Sequence, residues 1–437
     1  MRDRRARRTA SDRLAVCLLA VCLLAGCTSE DPGPAPRPPP DRAAPAPPPV
    51  SRAPVSEASY GTDPGRAPAL AVLDTVDLSP AAEGTSAFAT AAVPGPDGAA
   101  FVLVTSPGAE EPHRLATVAA RADGGRGVVG SVPVPDMRLI WGVHALPDGT
   151  VAVAGWLQPA ERGFGFTVVD PDLGGDPGTG RTPRAVRTIV AIPHEEGTAS
   201  AYGHSALSPD GSTLHLFVGT TVGFRATDLL VAVDVATGEF RAGRDLFADT
   251  RGRSTRSIGR YAAGLVPRPD GGVVLAFAGA PPGEREVPVP MLLTYDADLT
   301  PVAFQEPGGQ GATGETLAVA TGGGGTVFVA VSARSEEWLL TGEPGTGATT
   351  RALELVPRGF DYAFVVDPSE SWLLLPAVDG VRAVDLASGA ARTLGLDCGM
   401  GSPARYLTAA PDGVSALAVG QCARGSDLVP TLWTIGP

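Results

Sequence analysis

The sequence predicts an all-β fold built from one repeated unit of short strands, and three observations carry that expectation. Among 437 residues there are 56 Gly and 43 Pro, which cost about 1 and about 3 kcal/mol respectively at an interior helix position. Pro-Asp-Gly recurs at Pro96-Asp97-Gly98, Pro147-Asp148-Gly149, Pro209-Asp210-Gly211, Pro269-Asp270-Gly271 and Pro411-Asp412-Gly413. Each copy sits between two apolar runs, as with Thr150 to Ala154 after the second. The tripeptide is a tight turn for physical reasons. Pro presets φ at the first corner, Asp accepts from its own downstream backbone, and Gly takes the left-handed position.

Two degenerate copies, the glycine run Gly322 to Gly325 and Pro368-Ser369-Glu370, fill the gap before the last turn. Pro96 to Pro411 is 315 residues in six steps, about 53 per step, the spacing of four-stranded propeller blades. A second marker follows each turn by 16 to 26 residues, at Asp170, Asp234 to Gly238, Asp296 and Asp385 to Gly389. Each repeat therefore reads strand, Pro-Asp-Gly turn, strand, loop, strand, Asp-led turn, strand. The pattern resembles the seven-bladed β-propellers of the WD40, YVTN and TolB-like superfamily over residues 69–437. No Trp-Asp pair closes a strand, however, and no Tyr-Val-Thr-Asn run occurs. The last repeat has strands at 406–410, 414–420 and 431–435 and lacks a fourth. Residues 70–78 have strand character and no partner, so they are expected to pair with 431–435 and close the ring.

Residues 1–26 read as a signal peptide. Arg2, Arg4, Arg5, Arg7, Arg8 and Arg13 precede the 12-residue apolar stretch Leu14 to Ala25, too short to span a bilayer. Leu24-Ala25-Gly26-Cys27 resembles the lipobox of bacterial lipoproteins, which implies cleavage before Cys27 and its acylation. General secretion fits better than the twin-arginine route, because no Phe-Leu follows the arginine pairs. The mature chain would carry 28 basic and 45 acidic residues, a net −17, so acyl chains and not charge would hold it at the membrane. Residues 27–68 read as a disordered Pro-rich linker with 13 prolines. Pro32 to Pro54 alone could reach about 70 Å as polyproline II. The chain has neither Lys nor Asn, which points to a GC-rich genome, an actinobacterial one being the obvious candidate, and to the outer side of the cell membrane. Zero Lys also excludes a Schiff-base enzyme and a Gly-Lys-Ser/Thr phosphate loop. The acidic balance argues against nucleic acid.

After the signal and Cys27, the remaining cysteines are Cys398 and Cys422, an even pair in an oxidising compartment. The propeller resemblance places both on one face of the last blade, so a disulfide is expected. Gly309 to Gly314 spells a dinucleotide fingerprint without a following helix and reads as an interblade loop. Asp170, Asp172 and Asp176 lack the rest of a calcium loop, His-Glu-x-x-His fails at Thr198, and Gly-x-Ser-x-Gly is absent. His144 and His204 lie on inner strands, where propeller enzymes often place metal ligands. Two ligands are too few, and Asp361 and Glu315 are placed nearer the rim. No cofactor, metal or catalytic residue is expected.

The expected binding face is the end of the ring where each inner strand begins. It gathers Trp141, Tyr202, His204, Arg260, Tyr261, Glu315, Tyr362, Arg405 and Tyr406, with Arg251, Arg253 and Arg256 on a neighbouring loop. Tyr, Trp and Arg are the residues enriched in binding hot spots. The competing reading has the aromatics filling the interblade core and the arginines pairing with Glu195 and Glu196. The fold resemblance implies a binding or scaffolding module for a protein, peptide or carbohydrate partner. Its alternative is a lactonase, lyase or quinoprotein-type enzyme working in the central channel.

Overall fold

The computed structural model describes residues 50–51, 56–57 and most of 69–436. The chain divides into residues 1–45 and a compact body from Ala46 to Pro437. The body is all-β, with seven blades of four antiparallel strands; six are built from strands consecutive in the chain, and the seventh takes its fourth strand from Ala71–Asp77. Blade one begins with the inner strand Phe88–Pro94, blade two with Met137–Ala145, and blade three with Thr198–Leu207. Blades four to seven begin with Ala262–Pro267, Glu315–Thr321, Val365–Val366 and Ala404–Ala409. Each of the seven gaps between neighbouring blades is filled by its own apolar cluster among the described residues. The ring is therefore a β-propeller, as the repeats predict.

Sequence sets the radial order within each blade. Second strands such as Val151–Leu157 and Val273–Gly279 are buried along their whole length. Both faces of these strands meet a neighbouring blade, so their apolar residues run continuously instead of alternating. Outer strands such as Phe240–Asp245 and Ala391–Gly395 are largely exposed and carry arginines. The lower face, where first and second strands meet, holds the predicted turns that are described; Pro411 to Gly413 lie outside the described residues. Asp148, Asp210 and Asp270 each accept the backbone N–H two residues on, at 3.0, 3.0 and 3.1 Å. Two hydroxyls, Ser208 first and Ser212, join that N–H in holding the Asp210 carboxyl down to about 2.

Ring closure follows the sequence expectation. Ala71–Asp77 pairs antiparallel with Asp427–Gly436, matching Val72 with Ile435, Thr75 with Trp433 and Val76 with Leu432. Trp433 is almost wholly buried beneath this seam. The Cys398–Cys422 disulfide is formed, with a Cα separation of 4.6 Å. Val50–Ser51 and Ser56–Glu57, inside the stretch read as linker, pair with the outer strands of blades four and five. Among the described residues no helix is long and apolar enough to cross a membrane. Cys27 and the rest of residues 1–45 lie outside the described residues.

Candidate functional site on the upper face

The upper face carries the connections from each outer strand to the next inner strand. Three residues, 134–136, suffice between blades one and two, whereas sixteen, 246–261, join blade three to blade four. The described parts of that connection, 246–251, 254 and 258–261, are held by specific contacts. The connection opens with the helix Leu246–Thr250, whose N-cap Asp245 accepts from the Phe247 N–H. A capping carboxylate satisfies one of the orphan donors of the first turn. Arg244 grips Asp249 through two hydrogen bonds of 2.8 and 2.7 Å. The hydroxyl of Tyr295, from the third strand of blade four, donates to the same carboxylate at 2.9 Å. Burial, and then the Asp249 charge, push the Tyr295 phenol well above its ordinary value, so it remains a donor.

The far end of the connection is pinned as firmly. Asp228, buried in blade three, accepts the backbone N–H of Ile258 at 2.8 Å and of Gly259 at 2.9 Å. Gly259 and Gly219 meet so closely that a Cβ on either would lie within 3 Å of the other's Cα. Leu246 and Ile258 are fully buried in the cluster between blades three and four. What this scaffold leaves outside is Phe247, 60% exposed, with the Arg251 guanidinium 6.0 Å from its ring centre. Beside it in the ring order, Tyr202 on the inner strand of blade three is 43% exposed, and Leu139 on that of blade two is also exposed.

The other sequence candidates divide. Trp141 is half-buried. It stacks on Phe164 at 5.6 Å, and its ring fills the space a Cβ on Gly203 would need. It works as a wedge between blades two and three, as the core-filling reading has it. Tyr406 packs into the clusters on both sides of blade one, and burial raises its phenol pKa. Arg405 is exposed at the start of the inner strand of blade seven, and Tyr261 is half-buried in a 3-10 turn at the threshold of blade four. Arg260 and Glu315 have described backbone positions, in that turn and at the start of blade five. Tyr362, Asp361, Arg253, Arg256, Glu195 and Glu196 lie outside the described residues.

The channel histidines join blades to each other. His144 lies 2.8 Å from the Ser205 hydroxyl across the gap between blades two and three. His204 donates through Nε2 to the Ala262 carbonyl of blade four at 3.2 Å. Burial pushes His144 down to about 4 and lowers His204, so both are neutral near pH 7. Among the described residues no group of three His, Cys, Asp or Glu side chains could hold a metal ion.

Sequence reasoning missed Phe247, Asp228 and Leu139. The available signal was the length of the 246–261 connection together with Asp245 before Leu246 and Phe247, an N-cap followed by apolar residues. Nothing local marks Asp228, because its partners lie 30 and 31 residues away.

No family model and no curated protein matches the sequence. Solved structures do match. Hydrazine synthase from Kuenenia stuttgartiensis is 15% identical with a TM-score of 0.50, over 75% of this chain and 91% of that one. The Pan2 WD40 domain of Neurospora crassa is 9% identical with a TM-score of 0.49, over 86% and 97%. An oligogalacturonate lyase in complex with manganese is 10% identical with a TM-score of 0.48, over 81% and 98%. Likeness at such identities establishes the fold alone, and one fold hosts many functions.

Proposed function

We propose that this protein is a lipid-anchored, extracytoplasmic propeller that holds a protein or peptide partner against the upper face of blades two to four. One observation carries the reading. The 246–261 connection is fixed at both ends by buried polar contacts, yet it keeps a phenylalanine in water. A backbone fixed before binding, presenting a large apolar side chain with a guanidinium beside it, is what a hot spot needs. Arg251 gives the site a local positive charge on a chain that is acidic overall, which favours a partner segment combining an apolar anchor with a carboxylate. A carbohydrate ligand would use the aromatic face without that carboxylate.

A photoactivatable phenylalanine analogue at position 247, expressed in the native host, is expected to crosslink one protein. The same analogue at Phe240, 50% exposed on the outer strand of blade three, is not. Equal products at both positions would remove the assignment, and a crosslinked glycan at 247 would favour the carbohydrate ligand. The anchor rests on Cys27 at the end of the apolar run. Cys27→Ser is expected to release a folded propeller from the membrane fraction, since on this reading the acyl chains supply the membrane attachment. A mutant that still sediments with lipid defeats that part of the proposal.

A further inference from the structure

Two dipeptides ahead of the ring-closing strand turn two of the seven sheets into five-stranded ones. Val50 and Ser51 lie opposite Phe304 and Gln305 on the outer strand Pro301–Gln305 of blade four. Ser56 and Glu57 lie opposite Arg351 and Ala352 on the outer strand Arg351–Leu355 of blade five. Both additions are parallel, unlike every other pairing in the ring. Prolines explain where they occur. Pairing begins at the first residue after Pro47-Pro48-Pro49, and Pro54 stands between the two paired dipeptides. Proline has no N–H to give a ladder. The compact body likewise begins at Ala46, well before the ring-closing strand.

We propose that the outer edges of blades four and five form a strand-addition site for an extended peptide backbone, filled in this protein by its own Val50–Ser51 and Ser56–Glu57. An outer strand presents a row of unpaired backbone groups, and adding an extended segment is a general way of satisfying them. The strap covers two neighbouring edges in succession, and the step between them spans only residues 52–55. On the lipid-anchor reading it also changes the tether. Only residues 28–45 remain between the acylated cysteine and the body, a length that reaches at most about 60 Å when extended.

Hydrogen exchange tests the site on the whole mature chain carrying Cys27→Ser, so lipidation and the upper face play no part. Adding Val50→Pro, Ser51→Pro, Ser56→Pro and Glu57→Pro removes the strap's donors. Exchange over 302–305 and 351–355 is expected to rise at least tenfold, with 392–395 on the uncovered edge of blade six unchanged. Unchanged exchange at the two edges, or an equal rise on blade six, overturns the proposal. A crosslinking experiment leaves the prolines out. Ser56→Cys with Arg351→Cys should react with a short bismaleimide at least tenfold faster than Ser56→Cys with Arg392→Cys, and equal rates overturn it.

Discussion

The lower turn of blade three is held by Asp210, which accepts from Ser212 two residues away. The upper connection leaving the same blade is held by Asp228, which accepts from Ile258 and Gly259 in the approach to blade four. On the lower face the same contact inside one turn recurs at Asp148, Asp210 and Asp270. On the upper face Asp228 reaches partners 30 and 31 residues along the chain, and the connections there run from three residues to sixteen. A propeller can therefore keep one face constant and vary the other, and the variable face is where an exposed Phe247 stands beside Arg251.

The largest expected effect comes from the one element that makes the two faces a ring at all. Deleting residues 70–78 removes the fourth strand of blade seven and opens the seam over Trp433. It also strips Val76 and Leu78 from the cluster between blades seven and one. Cooperative unfolding should be lost, because two sheet edges and one interblade core become exposed together. Deleting residues 28–45 should leave the melting temperature unchanged. Similar melting curves for the two truncations would show that the ring does not depend on this strand.

This seam was legible in the sequence because it rests on counting: a repeat missing one strand at its end and a spare strand at its start. The lower turns were legible because Pro, Asp and Gly act on their immediate neighbours. The disulfide followed once the fold placed Cys398 and Cys422 on one face. The upper-face site was only half legible. Tyr202 stands seven residues before Pro209 and Trp141 six before Pro147; the first is exposed and the second is wedged over Gly203 and against Phe164. Whether an inner-strand aromatic faces water depends on the glycine or side chain opposite it in the next blade, and that pairing is not written locally.

The next largest effect sharpens the contrast between faces through protons. His144 and His215 are held down to about 4 by burial, and burial also lowers His113 and His204. Unfolded histidines titrate near 6.5, so below that pH the unfolded chain binds more protons than the folded one. The stability these groups allow is present above about pH 6.5 and is lost as pH falls toward 4, on the order of a few kcal/mol for each of the two strongest. Urea midpoints at pH 7.5 and 4.5 should differ widely in the native chain and by less in His144→Gln. An identical difference in both chains would mean His144 is already charged or solvated in the fold.

The upper-face disulfide is expected to contribute less than the histidines together. It closes a sequence separation of 24 residues, for which the chain-entropy model gives about 3 kcal/mol. Cys398→Ala with Cys422→Ala should lower stability by about that amount in urea titrations. Two alkylatable thiols in the folded native chain would show the bond absent.

The smallest effect tests whether the lower face is purely local. The turn of blade six places Glu370 where other copies have glycine, and its φ is 55°. A non-glycine residue in this region costs on the order of 1 kcal/mol. Its carboxylate in return reaches the neighbouring turn, accepting from the Gly324 N–H at 2.9 Å and the Thr326 hydroxyl at 2.7 Å. The glycine run of blade five makes room for this contact, since a Cβ on Gly322 would meet the Glu370 carboxylate and one on Gly323 the Pro368 carbonyl. Glu370→Ala keeps the strained backbone and loses both bonds, so a loss of about 2 kcal/mol is expected. Glu370→Gly loses the bonds and relieves the strain, so its loss should be about 1 kcal/mol smaller. Chemical denaturation of the two variants measures the difference. If glycine proves no better than alanine, the backbone there carries no strain; if neither variant is destabilised, the bridge between the two turns contributes nothing and this face is local throughout.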